Sequence, residues 1–223
     1  MKARLDREVI ALRAAKEFQD GDYVNLGAGI PSLCPNFVPE DRTVIFHSEN
    51  GLIGYGPVLT EEDWDKADFD LINAGGRLVA PLPGMCFVDH AMSFVIARGG
   101  RLDVAVLGAL QVSEKGGLAN FTTGTLVDSG LGGAMDIAYG AKKVIVTMEH
   151  TTKKGVHKIV RECSYPLTCK ECVDLIVTDV AVIEVTKEGL QLREVAPGWT
   201  AQEVQAITEA PLIISKDLKE IEL

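Results

Sequence analysis

Ser48-Glu49-Asn50-Gly51 follows directly on the apolar run Thr43-Val44-Ile45-Phe46-His47 and runs on into Gly54 and Gly56. The apolar run reads as a buried strand. Glycine gives up more backbone entropy on folding than any other residue, so such a cluster marks unusual dihedrals or the close approach of a ligand. Parallel-type sheets place their active sites at the carboxyl ends of strands, where Glu49 stands. The plain alternative for a single glutamate is a solvated turn. Two more glycine turns accompany it. Val24-Asn25-Leu26-Gly27-Ala28-Gly29-Ile30-Pro31 is a strand that turns through Gly-x-Gly to a proline at a plausible helix N1 position, and Gly130-Leu131-Gly132-Gly133 opens a second helix. Backbone N–H groups of such turns can donate to an oxyanion with no side chain in the way. Either turn alone is equally what a tight connection into a helix looks like, and neither has the full GxGxxG spacing of a dinucleotide site. Asn25 lies near the end of its strand and could reach the same sheet edge as Glu49; a turn asparagine bonding its own backbone is the alternative.

The elements that must hold these residues alternate between helix and strand patterns, the signature of an α/β fold with an open, mostly parallel sheet flanked by helices. Arg4 to Gln19 carries Val9, Leu12, Ala15 and Phe18 on one helical face and meets a stop signal at Asp20-Gly21. Tyr23–Leu26 and Thr43–His47 are the first two strands. Asp89 can cap a helix through Ala97. Leu102–Leu107 follows as an almost continuous apolar strand, the kind buried on both faces. Gly133–Gly140 reads as a helix leading into strand Lys143–Met148. Ala181–Thr186 and Leu190–Val195 read as a C-terminal β-hairpin region, and Thr200 to Glu203 as a capping box that starts the last helix. No linker, composition break or internal repeat divides the chain, so residues 1–223 are expected to form one domain.

Composition bounds the function classes. A formal charge of −10 argues against nucleic acid as partner, because phosphate neutralisation needs clustered Lys and Arg. Apolar runs fall well short of the roughly 18 residues that span a bilayer, which argues against a membrane role. The start, Met1-Lys2-Ala3-Arg4-Leu5-Asp6, lacks an apolar h-region, as expected of a cytoplasmic protein. Five cysteines, an odd number, favour reduced, buried thiols. Cys169-x-x-Cys172, with Cys163 and His157 nearby, falls short of a full metal-ligand set, so no metal is expected.

The segments above, in order with Leu71-Ile72-Asn73-Ala74-Gly75-Gly76, Leu82-Pro83-Gly84, Ala91-Met92-Ser93-Phe94, Arg98-Gly99-Gly100, Val106 to Val112, Val146 to Thr151 and Leu175 to Asp179, resemble the β subunit of the family I CoA-transferases, which act on 3-oxoacids such as acetoacetate. The similarity runs over nearly the whole chain. It implies an α/β fold of the type shared with sugar-phosphate isomerases, and Glu49 as a nucleophile that takes up CoA covalently in ping-pong transfer between acids. It implies that Asn25 orients Glu49 or meets CoA, and that Gly130 approaches CoA closely with Gly132 and Gly133 beside it. Gly27, Gly29, Asn50 and Gly51 are carried as further CoA-binding or oxyanion positions. No cofactor is implied beyond CoA, which is a substrate, and the ligands are acyl-CoA and short carboxylic acids. The resemblance also implies an obligate α-subunit partner, most simply as α2β2. The chemistry needs no general base, so His47 and His90 are assigned structural or pocket-lining roles. Lys142, Lys143, Lys153, Lys154 and Lys158 are either a solvated face or a contact for CoA phosphate.

The chain departs from the family pattern between Asn120 and Gly130, where an aromatic and a Pro-Gly-Lys turn are usual. Phe121-Thr122-Thr123-Gly124-Thr125-Leu126-Val127-Asp128-Ser129 has neither the proline nor the lysine. The acid pair therefore stays open between acetoacetate, butyrate, 3-oxoadipate, succinate and others. Two further readings stand beside the transferase: a sugar-phosphate-binding or isomerase-like protein of the same fold, and a non-catalytic subunit.

Overall fold

The apolar runs in the middle of the chain have no polar face, and the computed structural model, which describes residues 2–65, 67–124 and 131–222, buries them on both sides. β1 (Tyr23–Leu26), β2 (Ile45–His47), β3 (Leu52–Ile53), β4 (Cys86–Phe87), β5 (Val104–Gly108), β8 (Lys143–Met148), β10 (Leu175–Thr178), β11 (Ala181–Thr186), β12 (Gly189–Val195) and β13 (Leu212–Glu220) form one sheet. Its spatial order is β13-β12-β11-β10-β8-β5-β1-β2-β3-β4. The strands from β10 to β2 are all parallel, whereas β3, β4 and β11 run antiparallel to their neighbours and β12 pairs antiparallel with β11 alone. A small second sheet orders β7 (Leu118–Ala119), β6 (Gln111–Ser113) and β9 (Ile159–Val160).

Alternation along each strand divides the core in two. Val104, Val106, Ile145, Leu175 and Val177 pack with Ile10, Ala14 and Phe18 of the N-terminal helical segment. Ala105, Leu107, Val144, Val146 and Ile176 face the other way, against Ile137, Val112 and Leu118. From β1 the chain passes to β2 on one side, while β5, β8 and β10 extend the sheet on the other. This reversal of direction beside β1 opens a crevice at the carboxyl ends of the strands, where open α/β sheets take ligands.

Four helices frame the sheet among the described residues: α1 (Arg7–Ala15), α2 (His90–Arg98), α3 (Ala134–Gly140) and α4 (Ala201–Ala206). Asp89 caps α2 by accepting from Met92 N–H at 2.7 Å, and Thr200 and Glu203 form the expected capping box on α4. Helix α1 is shorter at both ends than its apolar pattern. Asp6 caps it, because Arg4 and Leu5 are held outside by an ion pair and a backbone bond to Asp179. At the other end Asp20 and Gly21 bond to Thr43 and so lead the chain into β1 rather than stopping a helix. The turn after Gly29 is a 3-10 helix, Pro31–Phe37, with Pro35 inside it. Beyond α4 the chain adds β13, parallel to β12, an element the sequence pattern did not reveal. Cys34 and Cys169 are buried as expected of reduced thiols, but Cys86 is exposed on β4.

His150, fully buried just past β8, ties the layers together. Its Nε2 lies 2.8 Å from Thr208 Oγ1 and its Nδ1 2.9 Å from Thr178 Oγ1. Thr208 Oγ1 also donates to the Val204 carbonyl at 2.7 Å and Thr178 Oγ1 to the Ala181 carbonyl at 3.1 Å, which extends the network from the ring into both backbones. Burial, with Arg4, His157 and Lys158 adding positive charge, pulls the His150 pKa down to about 3. A folded pKa below the unfolded one gives stability that is complete above the ordinary value of about 6.5 and is lost as pH falls toward the folded value. We therefore expect unfolding free energy to decline below about pH 6.5, with His150 contributing at most about 1.4 kcal/mol per pH unit. Denaturant titrations should show a shallower slope between pH 6.5 and 4 for His150→Asn than for the unsubstituted protein.

Candidate active site

Ser48 to Gly51 is the tight turn between β2 and β3. Gly51 N–H donates to the Ser48 carbonyl at 2.9 Å, and Ser48 N–H to the Leu52 carbonyl at 2.8 Å, which leaves Glu49 and Asn50 at the two central positions. Gly51 has φ +111°, and a Cβ there would lie 2.1 Å from the Val88 carbonyl oxygen. The same Val88 donates its N–H to the Gly51 carbonyl at 2.9 Å, so the close approach is part of the β3–β4 connection. A second segment clamps the turn from the other side. Ala74 N–H donates to Ser48 Oγ at 2.8 Å, and Asn50 Nδ2 to the Ile72 carbonyl at 2.7 Å.

The Glu49 carboxylate is half-buried and lies against the Gly133 backbone at the start of α3. An added Cβ at 133 would lie 2.5 Å from Glu49 Oε2 and 2.6 Å from Phe94 Cζ, so the carboxylate and the ring would both have to give way. Burial pushes the Glu49 pKa above the ordinary carboxylate value; the Gly133 N–H and the nearby His90 oppose that shift, and Asp136 reinforces it. His90 stacks against Phe94 with ring centroids 4.7 Å apart, and Asp136 is held by Arg98 at 2.7 Å. The result is a carboxylate that is partly desolvated, with a backbone amide and the His90 ring opposing the effect of burial. Such a carboxylate is suited to attack a carbon centre.

The residues singled out in the sequence divide into three groups. Glu49, Gly51 and Gly133 meet directly, and Asn50 anchors the turn. Gly133, expected as a CoA-binding or oxyanion position, lies directly against the Glu49 carboxylate. Asn25 is buried and bonds to His47, the residue two before Glu49, so it reaches the site through β2. Gly27 and Gly29 lie at the reversal point beside β5. Gly27 N–H donates to the Val106 carbonyl at 2.8 Å and is unavailable to an oxyanion, whereas Gly29 at φ +83° is exposed and open. Gly132, at φ +59°, is open as well. Gly130 lies outside the described residues. Sequence reasoning missed Phe94 and Val88, which shape the site through contacts with glycines. Their only signal is position: Phe94 lies on the inward face of a capped helix, and Val88 directly follows an edge strand.

The cleft at this sheet edge, lined by Ala28, Gly29, Gly108, Thr147, Glu149 and Lys158 among others, holds about 200 Å³. That is below the roughly 300–1,000 Å³ of sites that enclose a drug-sized ligand. Within the described residues, no group of three or more His, Cys, Asp or Glu is placed to hold a metal ion.

Comparison with known proteins gives a consistent result. The coenzyme A transferase family model matches residues 7–206. The chain is 47% identical over 212 residues to one subunit of the 3-oxoadipate CoA-transferase of Acinetobacter baylyi, covering 94% of this chain and 96% of that protein. It is 44% identical to the beta subunit of the acetate CoA-transferase of Escherichia coli K12, covering 95% of each. The fold is similar to that of an acyl-CoA transferase apoenzyme crystallised from Escherichia coli O157:H7, with a TM-score of 0.76 at 24% identity. This chain is covered in full there and spans 44% of that longer protein.

Two glycines separate the geometric from the merely conformational requirement. Gly51→Ala meets both a left-handed φ and a backbone clash, and we expect it to cost more than about 2 kcal/mol. Gly132→Ala meets the φ alone, with open space around it, and we expect about 1 kcal/mol. Thermal unfolding of the two variants side by side checks the difference.

Proposed function

The chain belongs to the coenzyme A transferase family, and on that premise we propose that it carries CoA between an acyl-CoA and a carboxylic acid through a covalent intermediate on Glu49. The observation that carries the reading is the Glu49 carboxylate itself, half-buried at the centre of a glycine turn and packed against the Gly133 backbone. Glu49 attacks the acyl carbon of the donor thioester and expels CoA thiolate, which gives a mixed acyl-glutamyl anhydride. The thiolate then attacks the Glu49 carbonyl, releases the first acid and leaves a glutamyl-CoA thioester. The carboxylate of the second acid attacks that thioester, expels the thiolate and forms a new anhydride. Attack of the thiolate on the new acyl carbon yields product acyl-CoA and restores Glu49. Every nucleophile arrives as an anion, so the sequence needs neither a general base nor a cofactor beyond CoA.

The acids are 3-oxoacids or short-chain acids. The relatives described above are named for 3-oxoadipate and for acetate, which supports both classes without separating them. The reading includes a partner α subunit, most simply in an α2β2 assembly. Three observations support it. The 3-oxoadipate and acetate CoA-transferase relatives are named as single subunits of their enzymes, and in longer relatives this chain matches less than half of the protein. The cleft beside the glycine turns is too small to enclose an acyl-CoA. Around the Glu49 turn, Phe87 is 67% and Val95 62% exposed, with Leu82, Met92 and Leu131 also open to solvent. An apolar band of this kind beside a charged site marks a surface that another chain covers. The partner also bears on electrostatics, since a chain of charge −10 otherwise repels the anionic CoA.

In the enzyme assembled with its partner, Glu49→Gln is expected to keep folding and assembly while lowering transfer by at least about 1,000-fold. Incubation with acetoacetyl-CoA and no acceptor should leave a CoA adduct on the Glu49 peptide, and adding acetate should discharge it. Near-normal turnover by Glu49→Gln in steady-state assays would sink the assignment. Attack requires ionised Glu49, so the rate should fall on the acid side through a pKa above the ordinary carboxylate value of 4.5. A pH–rate profile of single-turnover adduct formation measures it.

A further inference from the structure

Beneath the Glu49 turn lie two buried polar side chains that the transfer scheme does not use. His47 ends β2 and Ser93 sits on the inward face of α2, and neither exposes any surface. Buried polar groups are costly unless hydrogen-bonded, and these two are bonded to each other and to the turn. Asn25 Nδ2 lies 2.9 Å from His47 Nδ1, His47 Nε2 lies 3.0 Å from Ser93 Oγ, and Ser93 Oγ lies 3.4 Å from the Ser48 carbonyl oxygen. The ring of Tyr23 closes the remaining side edge-on at 5.7 Å.

Groups that can only accept fix the direction of this chain at both ends. Asn25 Nδ2 also donates to the His47 carbonyl at 3.2 Å, which identifies that end of the amide as NH2. Nδ1 facing it must then be the lone pair, so the imidazole is neutral with its proton on Nε2. Nε2–H donates to Ser93 Oγ, and the Ser93 hydroxyl proton goes to the Ser48 carbonyl. That carbonyl belongs to the peptide joining Ser48 to Glu49, and it also accepts the Gly51 N–H of the turn. Turning Glu49 about its backbone would break both bonds. Burial lowers the His47 pKa, in keeping with a neutral ring.

We infer that His47 and Ser93 are positioning residues: the relay from Asn25 through His47 and Ser93 to the Ser48 carbonyl locks the peptide that carries Glu49, so its carboxylate meets the acyl carbon in one orientation. The inference rests on Glu49 as the nucleophile. A displacement of about 1 Å in a reacting group can cost on the order of 100-fold in rate, so the lock acts on the chemical step and leaves substrate binding nearly unchanged.

The test uses the enzyme assembled with its partner and acetoacetyl-CoA as donor. Ser93→Ala removes only a hydroxyl and should slow formation of the Glu49 adduct by about 10- to 100-fold, with KM changed by less than about threefold. His47→Gln keeps an N–H near the Nε2 position and should recover most of the activity that His47→Ala loses. Nitrogen-15 NMR, with the His47 signals assigned by their absence in His47→Gln, should report a neutral ring protonated on Nε2 at pH 7. A Ser93→Ala rate within about twofold of the unsubstituted enzyme, or a His47 proton on Nδ1, overturns the positioning role. Glu49→Gln measured alongside separates the two claims. If it is inactive while Ser93→Ala is unaffected, only the positioning role falls; if it still transfers CoA, the nucleophile falls and the positioning role with it.

Discussion

The close approach of the Gly133 backbone to the Glu49 carboxylate, where a Cβ would lie 2.5 Å from Oε2, joins the β2–β3 turn to the start of α3, two stretches far apart in the sequence. A half-buried carboxylate must be stabilised enough to stay in place and not so much that it loses reactivity. A lysine or arginine at hydrogen-bond distance would overshoot, lowering both its pKa and its nucleophilicity. The Gly133 backbone N–H is a milder influence that works against the effect of burial, and at 133 no side chain stands between backbone and carboxylate. Phe94 fills the space on the other side of the same glycine, so α2, α3 and the turn converge on a single point.

That point needs a rigid base, and the sheet provides it. The parallel strands β10, β8, β5, β1 and β2 are covered on both faces, and their carboxyl ends are held in register by ladders reaching Gly108 and Thr147. Arg13 on α1 makes a bidentate pair with Glu194 on β12 at 2.8 and 3.0 Å and also bonds Glu17, which Lys143 on β8 reaches at 2.8 Å. Breaking one partner of such a buried network is costly because it leaves a charge without compensation. The network lies away from Glu49 and fixes helix to sheet, whereas neutral groups line the underside of the turn.

The two buried histidines show the same division. His150 and His47 are each kept neutral by burial and each bonded through both ring nitrogens. His150 joins β10 to the end of α4 and serves the fold, while His47 lies two residues before Glu49. Both ring nitrogens of each are engaged within the protein.

Local residue types determined a large part of this protein. The continuous apolar strands, the caps at Asp89 and Thr200, the hairpin at Lys187-Glu188 and the glycine-flanked Glu49 each depend on near neighbours, so the sequence discloses them. The α1 boundaries did not follow from local pattern, because Asp179, distant in sequence, holds Arg4 and Leu5 away from the helix. Strand β13 was hidden for a similar reason: parallel pairing to β12 runs through a crossover, and its exposed edge carries no regular apolar period. In the site, the sequence determined which residues were candidates and only the tertiary structure decided their roles. Gly27 has a spent N–H, Gly133 lies against the Glu49 carboxylate, and Asn25 bonds to His47. A hydrogen-bond donor is the same in every sequence context; whether it is free for a ligand depends on which distant acceptor the folded chain brings to it.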